Sequence, residues 1–157
     1  MYKSSFIRAP RASDIPKLKA ILEQTELFPS EMLEEMIQPF LHDSSCTDIW
    51  QVYEHIGEPI ALLYCVKEQL TEGTWNVLAL GVATKHQGQG VGELMMSNVE
   101  QTLRHQNQTS LIVDTSSLPE YDRSRKFYER IGFHKEAVIR DFWAKGDHKI
   151  TFWKSLS

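Results

Sequence analysis

Cysteine is nearly absent. The 157 residues hold two, Cys46 and Cys65, with neither metal-ligand nor redox spacing between them. The six histidines are scattered without ligand spacing, so no metal site is expected. Long apolar runs are missing too. The longest, residues 60–66, falls far short of the roughly 20 residues that a spanning helix needs. The N-terminal stretch, residues 1–8, has no apolar segment of the kind that secretory signals carry. Neither sign of charge dominates: the net charge is −4 with the charges intermixed, which argues against nucleic acid or an anionic membrane as a partner. No Gly-x-Ser-x-Gly elbow occurs, which excludes the usual serine-hydrolase arrangement. Repeats, linkers and low-complexity segments are lacking. What remains is the expectation of a cytoplasmic protein with reduced thiols, a single domain over residues 1–157. Its 41% of hydrophobic residues suffices for one substantial core.

Periodicity divides that chain into strands and helices. Residues 6–9 read as a first strand. Ser13 and Asp14 offer an N-cap and Pro16 suits a first turn, ahead of Ile15, Leu18, Ile21 and Leu22 at helical spacing. Ser30 is expected to cap a second helix striped with Met32, Leu33, Met36, Ile37 and Phe40. Strands follow at 49–54 and 59–66 around a turn, and at 74–83. A helix from near Gly90 places Val91, Leu94, Met95, Val99 and Leu103 on one face. Residues 110–114 form a short apolar strand, 120–131 a helix stopped by Gly132, and 133–142 and 148–154 two closing strands. The order β-α-α-β-β-β-α-β-α-β-β is that of an α/β layered domain with a mixed sheet.

The segment from Leu78 to Met96 concentrates the chemistry. A buried strand leads through Gly88, Gly90 and Gly92 into an amphipathic helix. A bare backbone at a helix start presents unpaired N–H groups, and the helix dipole adds positive potential, which together suit a phosphate. A dinucleotide fingerprint is not met: its third glycine position holds Glu93 or Met95, depending on frame. A P-loop is not met either, for lack of the Gly-Lys-Ser/Thr ending. A glycine turn that merely lets strand and helix pack closely is the plain structural alternative.

What does fit is Gln/Arg-x-x-Gly-x-Gly/Ala, at Gln87, Gly90 and Gly92. This resembles the pyrophosphate-binding motif of the GNAT superfamily of N-acetyltransferases. A second stretch, residues 127–133 (Phe-Tyr-Glu-Arg-Ile-Gly-Phe), closely resembles the signature that these enzymes carry after their fifth strand. One helix and one buried strand separate the two motifs, as in the family, and the element order covers the chain. The resemblance implies a mixed, mostly antiparallel sheet of about seven strands with about four helices, splayed between strands 4 and 5. It implies acetyl-CoA as cosubstrate and direct transfer of acetyl to a primary amine of a small molecule or peptide. Main-chain groups around Leu80 and Val82 would pair with the pantetheine arm, and Gln87, Gly88, Gln89, Gly90, Val91 and Gly92 would hold the pyrophosphate. Tyr121 and Ser124 would touch the cofactor, and Tyr128 would donate a proton to the departing thiolate. A homodimer through the closing strands or helices is compatible with the family.

Two positions depart from the pattern. Tyr121 stands where many members have asparagine, and Asn76 stands where some have a glutamate that acts as base. Glu72 and Asp114 lie near the relevant strand ends as candidates, and no base is assigned. Glu26, Glu31, Glu34 and Glu35 supply negative charge suited to a cationic acceptor, or simply a solvated helix face. A sensor or scaffold that binds acetyl-CoA without transferring it is the second reading. A binder of another nucleotide is the third.

Overall fold

The chain's β-branched and aromatic runs form strands, and its 3.6-residue stripes form helices. A computed structural model describes residues 4–157; residues 1–3, within the N-terminal stretch read above, lie outside them. The elements are β1 (Ser5–Arg8), α1 (Ile15–Thr25), α2 (Leu33–His42), β2 (Ile49–His55), β3 (Glu58–Lys67), β4 (Thr74–Val82), α3 (Val91–His105), β5 (Ser110–Ser116), α4 (Asp122–Arg130), β6 (His134–Ala144) and β7 (Asp147–Ser155). The strand order is β1-β2-β3-β4-β5-β7-β6. β4 and β5 are parallel, whereas β1–β2, β2–β3, β5–β7 and β6–β7 are antiparallel. This mixed sheet with four helices is the architecture the motifs imply.

Two compact units make up the chain: residues up to Val66 with Ala79–Val99, and Lys67–Leu78 with Glu100–Ser157. In the first, Leu18, Ile21 and Leu22 of α1 and Leu33 and Ile37 of α2 pack against β2 and β3. Trp50 stacks on Tyr64 there, with ring centroids 4.0 Å apart. Each such fully buried aliphatic side chain stabilises by roughly 1.5–3 kcal/mol. Ile56 and Gly57, both at positive φ (49° and 77°), close the β2–β3 hairpin as a two-residue turn does when its twist matches the strands. Ahead of α1, the Asp14 carboxylate accepts from the Arg11 backbone N–H at 2.7 Å and from Arg8 Nη1 and Nη2 at 2.7 and 2.9 Å.

Two expectations for this unit are corrected. Ser30 does not cap α2: it opens a 3-10 turn, Ser30–Met32, and its hydroxyl donates to Glu23 Oε1 at 3.0 Å. Leu94 does not lie on the buried stripe of α3. It is 52% exposed, while Met96 is buried beside Val91, Met95 and Val99. One helical step rotates by about 100°, so Met95 and Met96 face the core and Leu94 turns off it.

In the second unit, β4 and β5 share a ladder of four pairs that runs from Thr74–Ser110 to Val77–Val113 and stops. β5 extends two residues past the expected Asp114, because β7 remains paired with it as far as Ser116–Lys149. One face of the β5–β7 pair is buried through Leu111, Val113, Ile150 and Phe152. The other face, with Ile112, Asp114, Ser116, Thr151 and Trp153, stays half-buried. α4 starts later than expected, at Asp122, after a 3-10 turn at Pro119–Tyr121 whose proline occupies the opening position.

Candidate active site

The glycine loop belongs to the first unit. Gly88 and Gly90 both take positive φ, 77° and 84°. A Cβ added at Gly90 would meet nothing within 4 Å, so close packing of strand on helix is not what this glycine serves. The requirement is the left-handed backbone itself, and the space in front of it is open. The first bond of the α3 ladder runs from the Leu94 N–H to the Gly90 carbonyl at 3.1 Å. N–H groups from Gly88 to Glu93 therefore have no acceptor within the helix. Gln89 is exposed, Val91 is buried and Gly92 half-buried in the first turn. Positive-φ glycines at alternate positions leading into a helix start leave backbone N–H donors of the kind that suits an anion. The Gln87 side chain does not project from this loop. Its Nε2 donates to the Val82 carbonyl at 2.9 Å and so braces the turn against the end of β4. Leu80 and Val82 are half-buried on that strand.

Tyr128 belongs to the second unit. It is 7% exposed and enclosed by rings: Phe127, Phe133 and Phe152 lie with centroids 5.2, 5.7 and 5.9 Å away. Burial pushes its hydroxyl well above the ordinary tyrosine range. The proton is thus held at any working pH, while the hydroxyl hydrogen-bonds to no other described residue. Such a group can donate and cannot act as a base. Tyr121 sits at the end of the 3-10 turn rather than inside the helix, 39% exposed, and Ser124 is exposed on the first turn of α4.

Asn76 is buried at 4% exposure in the second unit. Its Nδ2 donates to Glu68 Oε1 at 2.8 Å and to Asp114 Oδ2 at 3.2 Å. Thr151 Oγ1 donates to Asp114 Oδ1 at 2.6 Å. Glu72, the other candidate near the strand ends, is exposed. Cys65 is not placed as an acyl carrier: it is fully buried, and burial pushes its thiol well above the ordinary range.

The model for the acetyltransferase (GNAT) family matches residues 15–133, which takes in the glycine loop and the tyrosine helix. The chain belongs to this family. A 5-NmdU N-acetyltransferase from Pseudomonas phage PaMx11 is 33% identical over 82 residues, 52% of this chain and 54% of that protein. The chain therefore spans about half the length of this curated relative. A GNAT-family protein from Desulfovibrio desulfuricans has the same fold, with a TM-score of 0.91 at 24% identity over 98% of this chain and 99% of its own. So does yncA from Salmonella typhimurium, solved with its cofactor acetyl-CoA, with a TM-score of 0.74 at 14% identity over 99% of this chain and 95% of its own.

In this GNAT chain Glu68 and Thr151, which no sequence motif singles out, reach Asp114 or its amide neighbour. Thr151 sits directly opposite Asp114 in the β5–β7 register, and the Glu68 N–H bonds the Thr74 carbonyl across the β3–β4 turn. Pairing register carries that information, and the partner of Asp114 lies 37 residues further along the chain. Among the described residues no group of acidic, histidine or cysteine side chains could hold a metal ion. No helix there is long and apolar enough to cross a membrane.

Proposed function

We propose that this chain is a single-domain, acetyl-CoA-dependent N-acetyltransferase that passes acetyl directly from the thioester to a primary amine of a small molecule or peptide. Gly90 carries the proposal: a positive-φ glycine with open space before it and helix-start N–H groups beside it. The backbone of Gln87, Gly88, Gln89, Gly90, Val91 and Gly92 holds the pyrophosphate. Main-chain groups of Leu80 and Val82 bind the pantetheine arm as a neighbouring strand would, and Tyr121 and Ser124 add cofactor contacts. Tyr128 gives its proton to the thiolate as the C–S bond breaks. A CoA thiol, close to cysteine's pKa of about 8.5, leaves readily, so the acid contributes less than positioning, which is worth roughly 7–11 kcal/mol. The cytoplasm, where Cys46 and Cys65 stay reduced, is the proposed compartment, and a second copy pairing along β6 is the proposed assembly.

Isothermal titration tests this, with acetyl-CoA beside CoA, ATP and NAD. The expected result is selective binding of acetyl-CoA and CoA, abolished in a folded Gly90→Glu variant, because the new side chain enters the open space before the loop. Absence of binding by folded wild-type protein sinks the proposal. A sensor that binds without transferring is the second reading, favoured by Asn76 at the glutamate position. Tight binding with no acetylation across a broad amine panel would establish it.

A further inference from the structure

The one buried acid described in the second unit, Glu100, meets cations. Its carboxylate lies 2.8 Å from Lys154 Nζ and 3.5 Å from Arg104 Nη2. Glu68 and Asp114 are different. Both converge on the one amide nitrogen of Asn76, and neither pairs with a lysine, arginine or histidine among the described residues. An ionised carboxylate only accepts hydrogen bonds, so the Asn76 amide must turn its NH2 toward the pair. Its Oδ1 is then left buried with no donor among the described residues. Two carboxylates whose donors, the Asn76 amide and the Thr151 hydroxyl, are neutral, beside an amide oxygen with no donor, make a set of acceptors that lacks a positive charge and, at Oδ1, a donor.

An alkylammonium group supplies both, with three N–H donors on one positive centre. The position suits an acceptor. Asp114 is the first β5 residue beyond the last β4–β5 pair, Val77–Val113, on the half-buried face of the strand. We infer that Glu68, Asn76 and Asp114 form the seat of a cationic primary amine, and that Asp114 takes its proton. The inference rests on the acyl-transfer reading above and supplies the base that Asn76 cannot be. Asn76 becomes a positioning residue that holds two carboxylates on one point, and Thr151 fixes the rotation of Asp114. An alkylammonium, with a pKa of about 10.4, must lose a proton before its nitrogen can attack. One of its three protons passes to Asp114 and on to solvent. The nitrogen then bonds to the thioester carbonyl carbon as the C–S bond breaks. A second proton is matched by the one that the thiolate gains, and the third stays on the amide product.

Aniline separates the seat from a merely structural cluster, because its nitrogen is already neutral at pH 7.5 and needs neither counter-charge nor base. The experiment measures kcat/KM with acetyl-CoA for n-butylamine, spermidine and aniline, in wild type, Asp114→Asn and Glu68→Gln, with acetyl-CoA affinity titrated in each. Wild type is expected to prefer the alkylamines. In Asp114→Asn the alkylamine-to-aniline ratio should fall by about 10²-fold. In Glu68→Gln, a change at a half-exposed position with little risk to folding, it should fall mainly through a higher KM. Equal losses on all three amines, or an unchanged ratio, overturn the inference. Wild type that binds acetyl-CoA but acetylates neither alkylamine overturns the seat alone, whereas protein that binds no acetyl-CoA overturns the acyl-transfer reading as well.

Discussion

A tyrosine that must give up a proton needs it available at the pH of reaction and needs a hydroxyl not spoken for by the protein. Tyr128 meets both conditions, since burial raises its pKa and no described residue takes its hydroxyl. Replacing it by phenylalanine keeps the ring contacts to Phe133 and Phe152 and removes only the donor. Tyr128→Phe should therefore lower kcat by about 10–100-fold, at the low end of general-acid effects because the thiol is a good leaving group. Stability by denaturant titration should stay within about 1 kcal/mol. Because the pKa lies above the ordinary value near 10, wild-type kcat should show no loss from tyrosine ionisation up to pH 10. A pre-steady-state burst shows whether chemistry is being read; unchanged single-turnover rates in the variant would remove Tyr128 from the mechanism. At this scale the motif residues were legible in sequence, but side-chain direction was not. Gln87 reads as part of a phosphate motif, yet its side chain braces Val82. Asn76 reads as a missing base, yet its amide gathers two acids.

At the scale of elements, the entry into α1 is fixed by one carboxylate. Asp14 takes two guanidinium bonds from Arg8 and one backbone N–H from Arg11, while Arg8 also donates Nε to Glu54 at 2.8 Å on β2, which ties the helix start to two strands. Hydrogen bonding from Arg8 holds the Asp14 carboxyl below its usual range. A lowered folded-state pKa contributes stability that is present above the unfolded value of about 4 and is lost as pH falls through the folded value. Asp14→Asn should thus cost about 3 kcal/mol at pH 7, because Arg8 is left buried with half its partners. As pH falls through the lowered folded-state value, the variant and wild type should converge in urea titrations. A gap that stays the same size from pH 7 into acid would mean that shape, not charge, carries the contribution. The elements were largely readable in sequence because long stripes such as Leu18, Ile21 and Leu22 fix a helix and its buried face together. Their ends were less so. Ser30 has the right chemistry for a cap but finds Glu23 instead, and the ladder to β7 extends β5 where local sequence suggests a loop. The first turns on which of two nearby groups the hydroxyl meets, seven residues back, and the second depends on a strand distant in sequence, which no local window contains.

At the scale of the molecule, β6 closes the strand order with one edge that no described strand pairs. An exposed edge bearing apolar side chains invites another strand, and natural sheets normally blunt such edges. Bulges at Lys135/Ala137 and between Ile139 and Ala144 interrupt this edge, yet Val138, Ile139, Phe142 and Trp143 stay 52%, 46%, 49% and 48% exposed. Its charges are moreover self-complementary. In antiparallel pairing of two copies centred on Val138, Glu136 meets the second copy's Arg140 at both ends, and Ala137 meets Ile139. A two-fold axis through Val138 therefore sets apolar residues on apolar residues and opposite charges on each other, with the regular stretch from Ala137 to Ile139 at its centre, which a partner of arbitrary sequence would not match. Sedimentation at 50 μM should give twice the chain mass of 18.2 kDa. Glu136→Arg sets like charges against each other at two symmetric points and should yield monomer. Glu136→Arg combined with Arg140→Glu restores both pairs and should restore the dimer. A wild-type monomer, or a dimer indifferent to Glu136→Arg, removes the β6 pairing. Failure of the double variant to recover the dimer removes the register, because only an axis through Val138 makes residues 136 and 140 partners.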